Sequence, residues 1–277
     1  MITLRQGSTS ITPWVTPMTS PDPRVMFGSE SESQTVRALL EMRELLMRGE
    51  FRPGEHIREI PVAERLGVSR TPARLVLERL AHEGLLEARA KGGFLVREFS
   101  LQDILDAIEI RGELEATAAR MAAERLQSSD ELDGMRQCVA QVEVLLAKPG
   151  HVLESIAGYA PINERFHALL LDLAKSPILV RSMEQVRALP FATPSAFTGS
   201  QAESKTWHET MTVAHWQHQG IVDAIANRSA TRAAAAAREH SGMARRGVEL
   251  ALREKRLAAI PGGSLVRIPG VEEAATP

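Results

Sequence analysis

The sequence predicts a mainly α chain: a small N-terminal domain of three helices closed by a hairpin, then an all-helical bundle. Three observations predict it. In GVSRTPARLVLERLAHEGLL, residues 67–86, a Ser-Arg-Thr-Pro cluster stands directly before an apolar helical repeat that closes on a Gly. In LLEARAKGGFLV, two short apolar segments flank Lys91, Gly92 and Gly93, the pattern of a β-hairpin. From Ser100 onward, apolar residues recur at helical spacing with no competing alternation.

Length and composition set the frame. A chain of 277 residues with 44% hydrophobic and 25% charged content suits about two globular domains. The single cysteine, Cys138, has no partner for an internal disulfide, which suits a reducing, cytoplasmic compartment. No apolar run approaches the roughly 20 residues that cross a bilayer, so no membrane partner is expected. Residues 1–30, rich in Ser, Thr and Pro, read as a flexible arm. The net charge of −2 divides unevenly: residues 33–100 carry 12 Lys and Arg against 10 Asp and Glu, and residues 101–277 carry 19 against 22. The positive excess, a weak signal alone, sits in the first domain.

That domain, residues 31–98, opens with a helix through VRALLEMRELLMRG that stops at Gly49. The turn FRPGE and the short helix IPVAERLG follow, ending at Gly67. Ser69 is expected to cap the next helix, where Pro72 is tolerated because a first-turn N–H has no intrahelical acceptor. Leu75, Leu77 and Leu80 are its expected apolar stripe, which leaves Arg70 and Arg74 to solvent. Helix, turn, helix and hairpin in this order make a winged helix-turn-helix. Its second helix enters the major groove of double-stranded DNA by its N-terminal residues. Arg70 and Arg74 offer forks of donors suited to guanine edges, and Ser69, Thr71 and the wing residue Lys91 suit phosphates. On a lone helix the same arginines would be ordinary surface groups.

The helical region, residues 99–257, starts at a capping-box pattern in SLQD. Its first helix carries Leu101, Ile104, Leu105 and Ile108 on one stripe, and the same stripe continues onto Arg111 and Glu115. A charge on an apolar face needs a partner. Arg111 therefore either pairs with Glu115 at i,i+4 or holds an anion in an internal cavity. Asn163 and His167 share a helix face, and His218 and His240, 22 residues apart near the middle of two successive antiparallel helices, can meet at one level of the bundle. Any one of these histidines could be a satisfied core residue. Together, Asn163, His167, His218 and His240 form a candidate site for a divalent metal such as Zn or Ni. His215 lies one turn before His218 and is a competing candidate. The bundle holds six of the eleven aromatics, Phe166, Trp207 and Trp216 among them, which either pack the core or line a pocket for a flat ring. PFATPSAFTGS, residues 190–200, breaks the helices, and residues 258–277 read as a loose tail.

The segment from Phe51 to Val96, with its PG, LGVSRTPAR, EGL and Gly-containing wing, resembles the N-terminal domain of GntR-family transcription regulators. It departs from the common pattern at Ile60 and Pro61, where many members carry a polar or basic residue, and at Leu75, where Glu is common. NERFH, HQGIVDAI and REH resemble the FCD ligand-binding domain that often follows it, over residues 101 to about 250. The resemblance implies a metal held by Asn163, His167, His218 and His240, with Asn163 in place of the commoner Asp, and an organic acid beside it. Arg111, Phe166 and His215 are the residues expected to contact that acid. REIPVAERLGVSR and AHWQHQGIVDAI look most similar to vanillate-responsive repressors and related regulators, which implies an aromatic acid. A metal held by neutral ligands near Arg111 also favours a carboxylate effector on charge alone. The expectation is a homodimeric repressor on an inverted-repeat operator, with residues 97–100 as the joint. A metal-dependent hydrolase and an effector-independent DNA-binding protein stand as alternatives, though the chain has no HExxH and Glu164 points off the Asn163/His167 face.

Overall fold

A computed structural model describes residues 30–147, 152–190, 192–195, 207–253 and 262–267. The N-terminal domain contains α1 (Glu30–Met47), β1 (His56–Ile57), α2 (Glu59–Leu66), α3 (Arg70–His82), β2 (Leu86–Ala88) and β3 (Phe94–Val96). Helix α2 ends at Gly67, whose φ of 62° supplies the left-handed cap that a residue with a Cβ adopts at a cost. On α3 the buried positions are Ala73, Val76, Leu77 and Leu80, the i, i+3, i+4, i+7 stripe of a helix lying on a core. Leu75, expected on that stripe, is 52% exposed: it is two residues from Leu77, about 200° around the helix, and shares the outer face with Arg74. Ser69 stands at the N-cap position with an extended backbone, but its side chain makes no capping hydrogen bond.

The hairpin pairs β2 with β3 antiparallel, with Glu87 opposite Leu95, and the sequence reading missed its third strand. Strand β1, just after the expected turn FRPGE and before the expected helix IPVAERLG, pairs with β3 to give the order β1-β3-β2. Gly93 takes a φ of 77°, and a Cβ there would stand 2.9 Å from the Ile57 carbonyl oxygen, so the wing packs closely on β1. Met42, Leu46, Leu77, Leu80 and Leu85 form the centre of this domain's core.

Strand β4 (Phe99–Ser100) leads directly into α4 (Leu101–Arg125). The capping box is formed: Asp103 N donates to Ser100 Oγ at 3.1 Å, and Ser100 N donates to Asp103 Oδ2 at 2.8 Å. The bundle continues with α5 (Asp133–Leu146), α6 (Val152–Leu173), α7 (Pro177–Arg187), α8 (Trp207–Ala226) and α9 (Ala230–Arg253). Helix α6 runs through Pro161 and carries Asn163 and His167 in its second half. Ala118, Ala119, Ala122, Phe166, Leu170, Ile221 and Ile225 meet in the bundle core.

The tail is not loose over its described part. Leu265 is fully buried in the core of the winged domain, Gly262 N donates to Met47 O at 2.7 Å, and β5 (Val266–Arg267) pairs parallel with β4. An apolar Leu-Val pair is too short to carry a periodic signal, which is why the sequence hid it. Residues 1–29, which hold nearly all of the expected arm, lie outside the described residues. No described helix is long and apolar enough to cross a membrane.

Candidate functional site

On the N-terminal domain, Ser69, Arg70, Thr71 and Arg74 are all exposed at the start of α3, and Lys91 is exposed at the tip of the wing. The two arginines are not loose. Arg70 Nε donates to Glu59 Oε2 at 2.9 Å, and Arg74 Nε donates to Glu78 Oε1 at 2.9 Å with Glu59 Oε1 at 3.8 Å. Each carboxylate takes the inner nitrogen and leaves the two terminal nitrogens, the pair that matches guanine O6 and N7. Glu59 was not foreseen, because its contact with α3 crosses from α2. The Ser69 hydroxyl, free of a capping role, is open to a phosphate.

Inside the bundle, α6, α8 and α9 bring His167, His218 and His240 together. One ring nitrogen of each lies within 4.8 Å of the other two, and all three side chains are buried. His218 Nε2 and His240 Nε2 are 3.0 Å apart. Gln217 Oε1 accepts from His240 Nδ1 at 3.2 Å, so the proton of His240 sits on Nδ1 and its Nε2 lone pair turns toward His218. Phe166 stacks on His218 with centroids 4.0 Å apart, which fixes that ring from behind. Burial and the neighbouring His167 bring His240 down to about 3, while burial, with His240 and His167 beside it, holds His218 well below its ordinary value. These two rings are therefore neutral, the state in which imidazole donates a lone pair to a metal.

A cavity of about 40 Å³ adjoins the triad. Arg111, Asn163, His167 and His240 form its polar side, and Tyr159, Met211 and Met243 face them. Asn163 Oδ1 accepts from the buried Tyr159 hydroxyl at 3.2 Å, and Asn163 Nδ2 donates to Ser195 Oγ at 3.0 Å. Arg111 and Glu115 do face each other, at 3.8 Å between Nε and Oε1, too far for a hydrogen bond. Arg111 Nε and Nη1 have no hydrogen-bond partner among the described residues, and neither do Glu115 Oε2 and both His167 nitrogens. Glu115 was read only as a partner of Arg111, yet its Oε1 stands 3.0 Å from His167 Nδ1, off the hydrogen-bonding direction. Burial pushes the Glu115 carboxyl up, but His167 and Arg111 outweigh it and bring it down to about 2. Glu115 thus adds a carboxylate beside His167 and Arg111, outside the group of histidine nitrogens.

Two residues assigned to an effector sit elsewhere. Phe166 backs His218 and does not line the cavity. His215 is buried outside both the triad and the cavity, lowered by burial and opposed by the charge of Glu143 on α5. Glu164 forms an ion pair with Arg187 and accepts from Ser195 N at 3.1 Å, so it is committed away from the histidines.

Comparison with known proteins assigns both halves. Residues 33–96 match the family described as bacterial regulatory proteins, gntR family, and residues 106–242 match the FCD domain. The Nta operon transcriptional regulator of Aminobacter aminovorans is 33% identical over 137 residues, 49% of this chain and 61% of that protein. The match thus spans less than two thirds of that relative's own length. An uncharacterised HTH-type transcriptional regulator from the TAR-I ttuE-ttuC' intergenic region of Agrobacterium vitis is 30% identical over 125 residues, 45% of this chain and 71% of that protein. Among solved structures, E. coli McbR/YncC aligns with a TM-score of 0.54 at 20% identity, covering 80% of this chain and 98% of that one, a likeness of fold. These relatives are named as regulators and not as enzymes. The chain belongs to the GntR family of bacterial regulatory proteins, with an FCD domain as its helical bundle.

Proposed function

We propose that this protein is a DNA-binding transcription repressor whose operator affinity is set by an organic acid held beside a divalent metal in the FCD domain. The observation that carries the reading is the juxtaposition of three buried histidines within 4.8 Å with Arg111, whose buried guanidinium has unpartnered nitrogens beside the same cavity. The residues fit a metal. His167 has two unpartnered nitrogens, His218 and His240 are neutral, and Glu115 offsets part of a divalent charge. His167, His218 and His240 would hold the ion, with Asn163 Oδ1 as the oxygen on the same cavity; Zn and Ni suit such a nitrogen-rich set. Bound there, the ion supplies positive charge and open positions for a carboxylate oxygen.

The chain's own groups do the rest. Arg111 donates its fork to the acid, and Tyr159 orients Asn163 through its hydroxyl. A cavity of about 40 Å³ admits a compact carboxylate as it stands. The aromatic acid implied by the resemblance to vanillate-responsive repressors requires the flexible Met211 and Met243 side chains to swing aside. Two copies related by a two-fold axis would set their α3 helices about 34 Å apart, on an inverted repeat. The acid acts only through a difference in affinity between the DNA-binding arrangement and another.

The test uses binding sites selected from random duplex DNA. Arg70→Ala and Arg74→Ala should each weaken the selected site by about 1 to 3 kcal/mol. Purified protein should contain a divalent metal, and compact and aromatic acids should release the DNA. Arg111→Met should lose about 1.5 to 3 kcal/mol of acid affinity while keeping DNA binding. Release of DNA from Arg111→Met at the wild-type acid concentration would take Arg111 out of the effector site. A protein without bound metal and without response to any acid would leave the effector-independent reading in its place.

A further inference from the structure

Helix α3 buries Ala73, Val76, Leu77 and Leu80. At about 100° per residue, the side directly opposite that stripe runs through Thr71, Leu75 and Glu78. All three are exposed, and Leu75, at 52%, is the large apolar group among them. Glu78 accepts from Arg74 Nε at 2.9 Å, so its carboxylate is drawn to the Arg74 side of the face. A single exposed leucine is ordinary on a surface that meets only water. This one stands one turn beyond Thr71 and next to Arg74, on the face that a recognition helix turns to the base edges. That face must be open for α3 to enter the groove, so its partner in the complex is DNA.

We propose that Leu75 reads the C5-methyl group of a thymine in the operator and is a specificity-determining residue beside Arg70 and Arg74. The chemistry of the side chain selects the base. Leucine neither donates nor accepts a hydrogen bond. Pressed against an amine or a carbonyl, it displaces water and leaves that polar group unpaired, which costs free energy. The thymine methyl is the one apolar group on the major-groove edges of the base pairs, and it alone gains from the contact.

Helix geometry sets the register. Leu75 follows Arg70 by about 7.5 Å of helix rise and Arg74 by about 1.5 Å. Base pairs are stacked about 3.4 Å apart, so the thymine should lie within about two base pairs of a guanine met by either arginine. The arginines then choose guanine by hydrogen bonds, and Leu75 chooses its neighbour by a methyl group.

The proposal rests on the reading of α3 as the recognition helix, and its test separates the two. The full chain is titrated with a duplex selected from random DNA, in which one thymine at a time is replaced by uracil. Uracil removes the methyl and keeps every hydrogen-bonding group. At one thymine near the guanines the wild-type dissociation constant should rise about fourfold, the worth of one buried methyl group. Leu75→Ala should bind the thymine and uracil duplexes equally, a coupling that closes as a double-mutant cycle between protein and DNA. Cytosine at that position should weaken wild-type binding, and 5-methylcytosine, which restores the methyl, should recover part of the loss in wild type and none in Leu75→Ala. If Arg70→Ala and Arg74→Ala bind the selected duplex as tightly as wild type, α3 is not the reader and both readings fall. If those variants lose affinity while uracil is silent at every thymine, or while Leu75→Ala keeps the full uracil penalty, the methyl contact of Leu75 alone is overturned. The uracil titration uses wild-type protein, so it decides the question even if Leu75→Ala fails to fold.

Discussion

Two neutral histidines and one ionised carboxylate in a single buried site tie the stability of the bundle to pH. In the unfolded chain His218 and His240 take up protons as pH falls through about 6.5. The folded site refuses them, His240 down to about 3 and His218 well below its ordinary value, because burial penalises the charged rings. The unfolded state then binds more protons, so their contribution is complete above about pH 6.5 and is lost on acidification. Glu115 acts lower: its contribution is complete above 4.5 and fades as pH falls toward about 2. Metal-free protein should therefore keep a constant urea midpoint above about pH 7. Below that it should lose up to about 1.4 kcal/mol per pH unit for each of the two histidines. His240→Gln should remove part of that slope, and a wild-type midpoint unchanged between pH 7 and 5 in chelator would show that the rings are not held neutral. The histidines were legible in the sequence because a 22-residue spacing across two antiparallel helices fixes their common level. Glu115 was legible only as the i,i+4 neighbour of Arg111. Its contact with His167 joins α4 to α6, and no local pattern reports a pairing between faces of distant helices.

Among the elements, α4 and α9 are the pair on which the site depends, since α4 carries Arg111 and Glu115 and α9 carries His240. They cross at Gly112. A Cβ on Gly112 would lie 2.2 Å from Ser241 Oγ and 2.8 Å from Ser241 Cβ, closer than side chains approach. Ser241 Oγ donates to Arg238 O at 2.7 Å, and on α9's outer edge Arg238 pairs with Glu113 at 2.6 Å, so α9 is clamped where it must come near. Gly112→Ala gains about 1 kcal/mol of helix propensity, and the overlap costs about 1 to 3 kcal/mol or more in a packed interior. The net effect should be destabilising, with weaker metal retention because His240 moves away from His167. Ser241→Gly in the same chain should recover both, a coupling that a double-mutant cycle of urea midpoints measures; independent, additive effects would place the close approach elsewhere. Helices themselves were easy to read, from apolar stripes, Ser100 with Asp103, and Gly67. The misread stripe through Leu75 has a physical cause: which face a helix buries depends on what it packs against, which local propensity does not contain.

At the scale of the whole molecule, the question is how an acid at Arg111 reaches Arg70 and Arg74. Two covalent routes leave the site for the winged domain. Helix α4 runs back from Arg111 to Ser100 and β4, and beyond α9 the chain returns at Gly262 to lay β5 along β4. The second route ends inside the winged domain, where Leu265 is fully buried beside α1 and Gly262 N is bonded to Met47 O. The helices that carry Arg111 and His240 are each joined in sequence to one strand of the same two-strand junction, β4 before α4 and β5 after α9, so a change in their relative position bears on that junction. Leu265→Ala should remove the anchor at a cost of about 2 to 5 kcal/mol to the winged domain, the usual range for a buried leucine. Metal content and acid affinity should be unchanged, because the triad and Arg111 are untouched. DNA affinity should fall in the absence of acid, and the acid should alter it less than in the wild type, since one of its two routes is cut. Binding isotherms on the selected DNA site, with and without acid, measure this directly. If Leu265→Ala keeps the wild-type ratio of the two affinities, the switch runs through α4 and β4 alone, and residues 262–267 serve only to stabilise the winged domain.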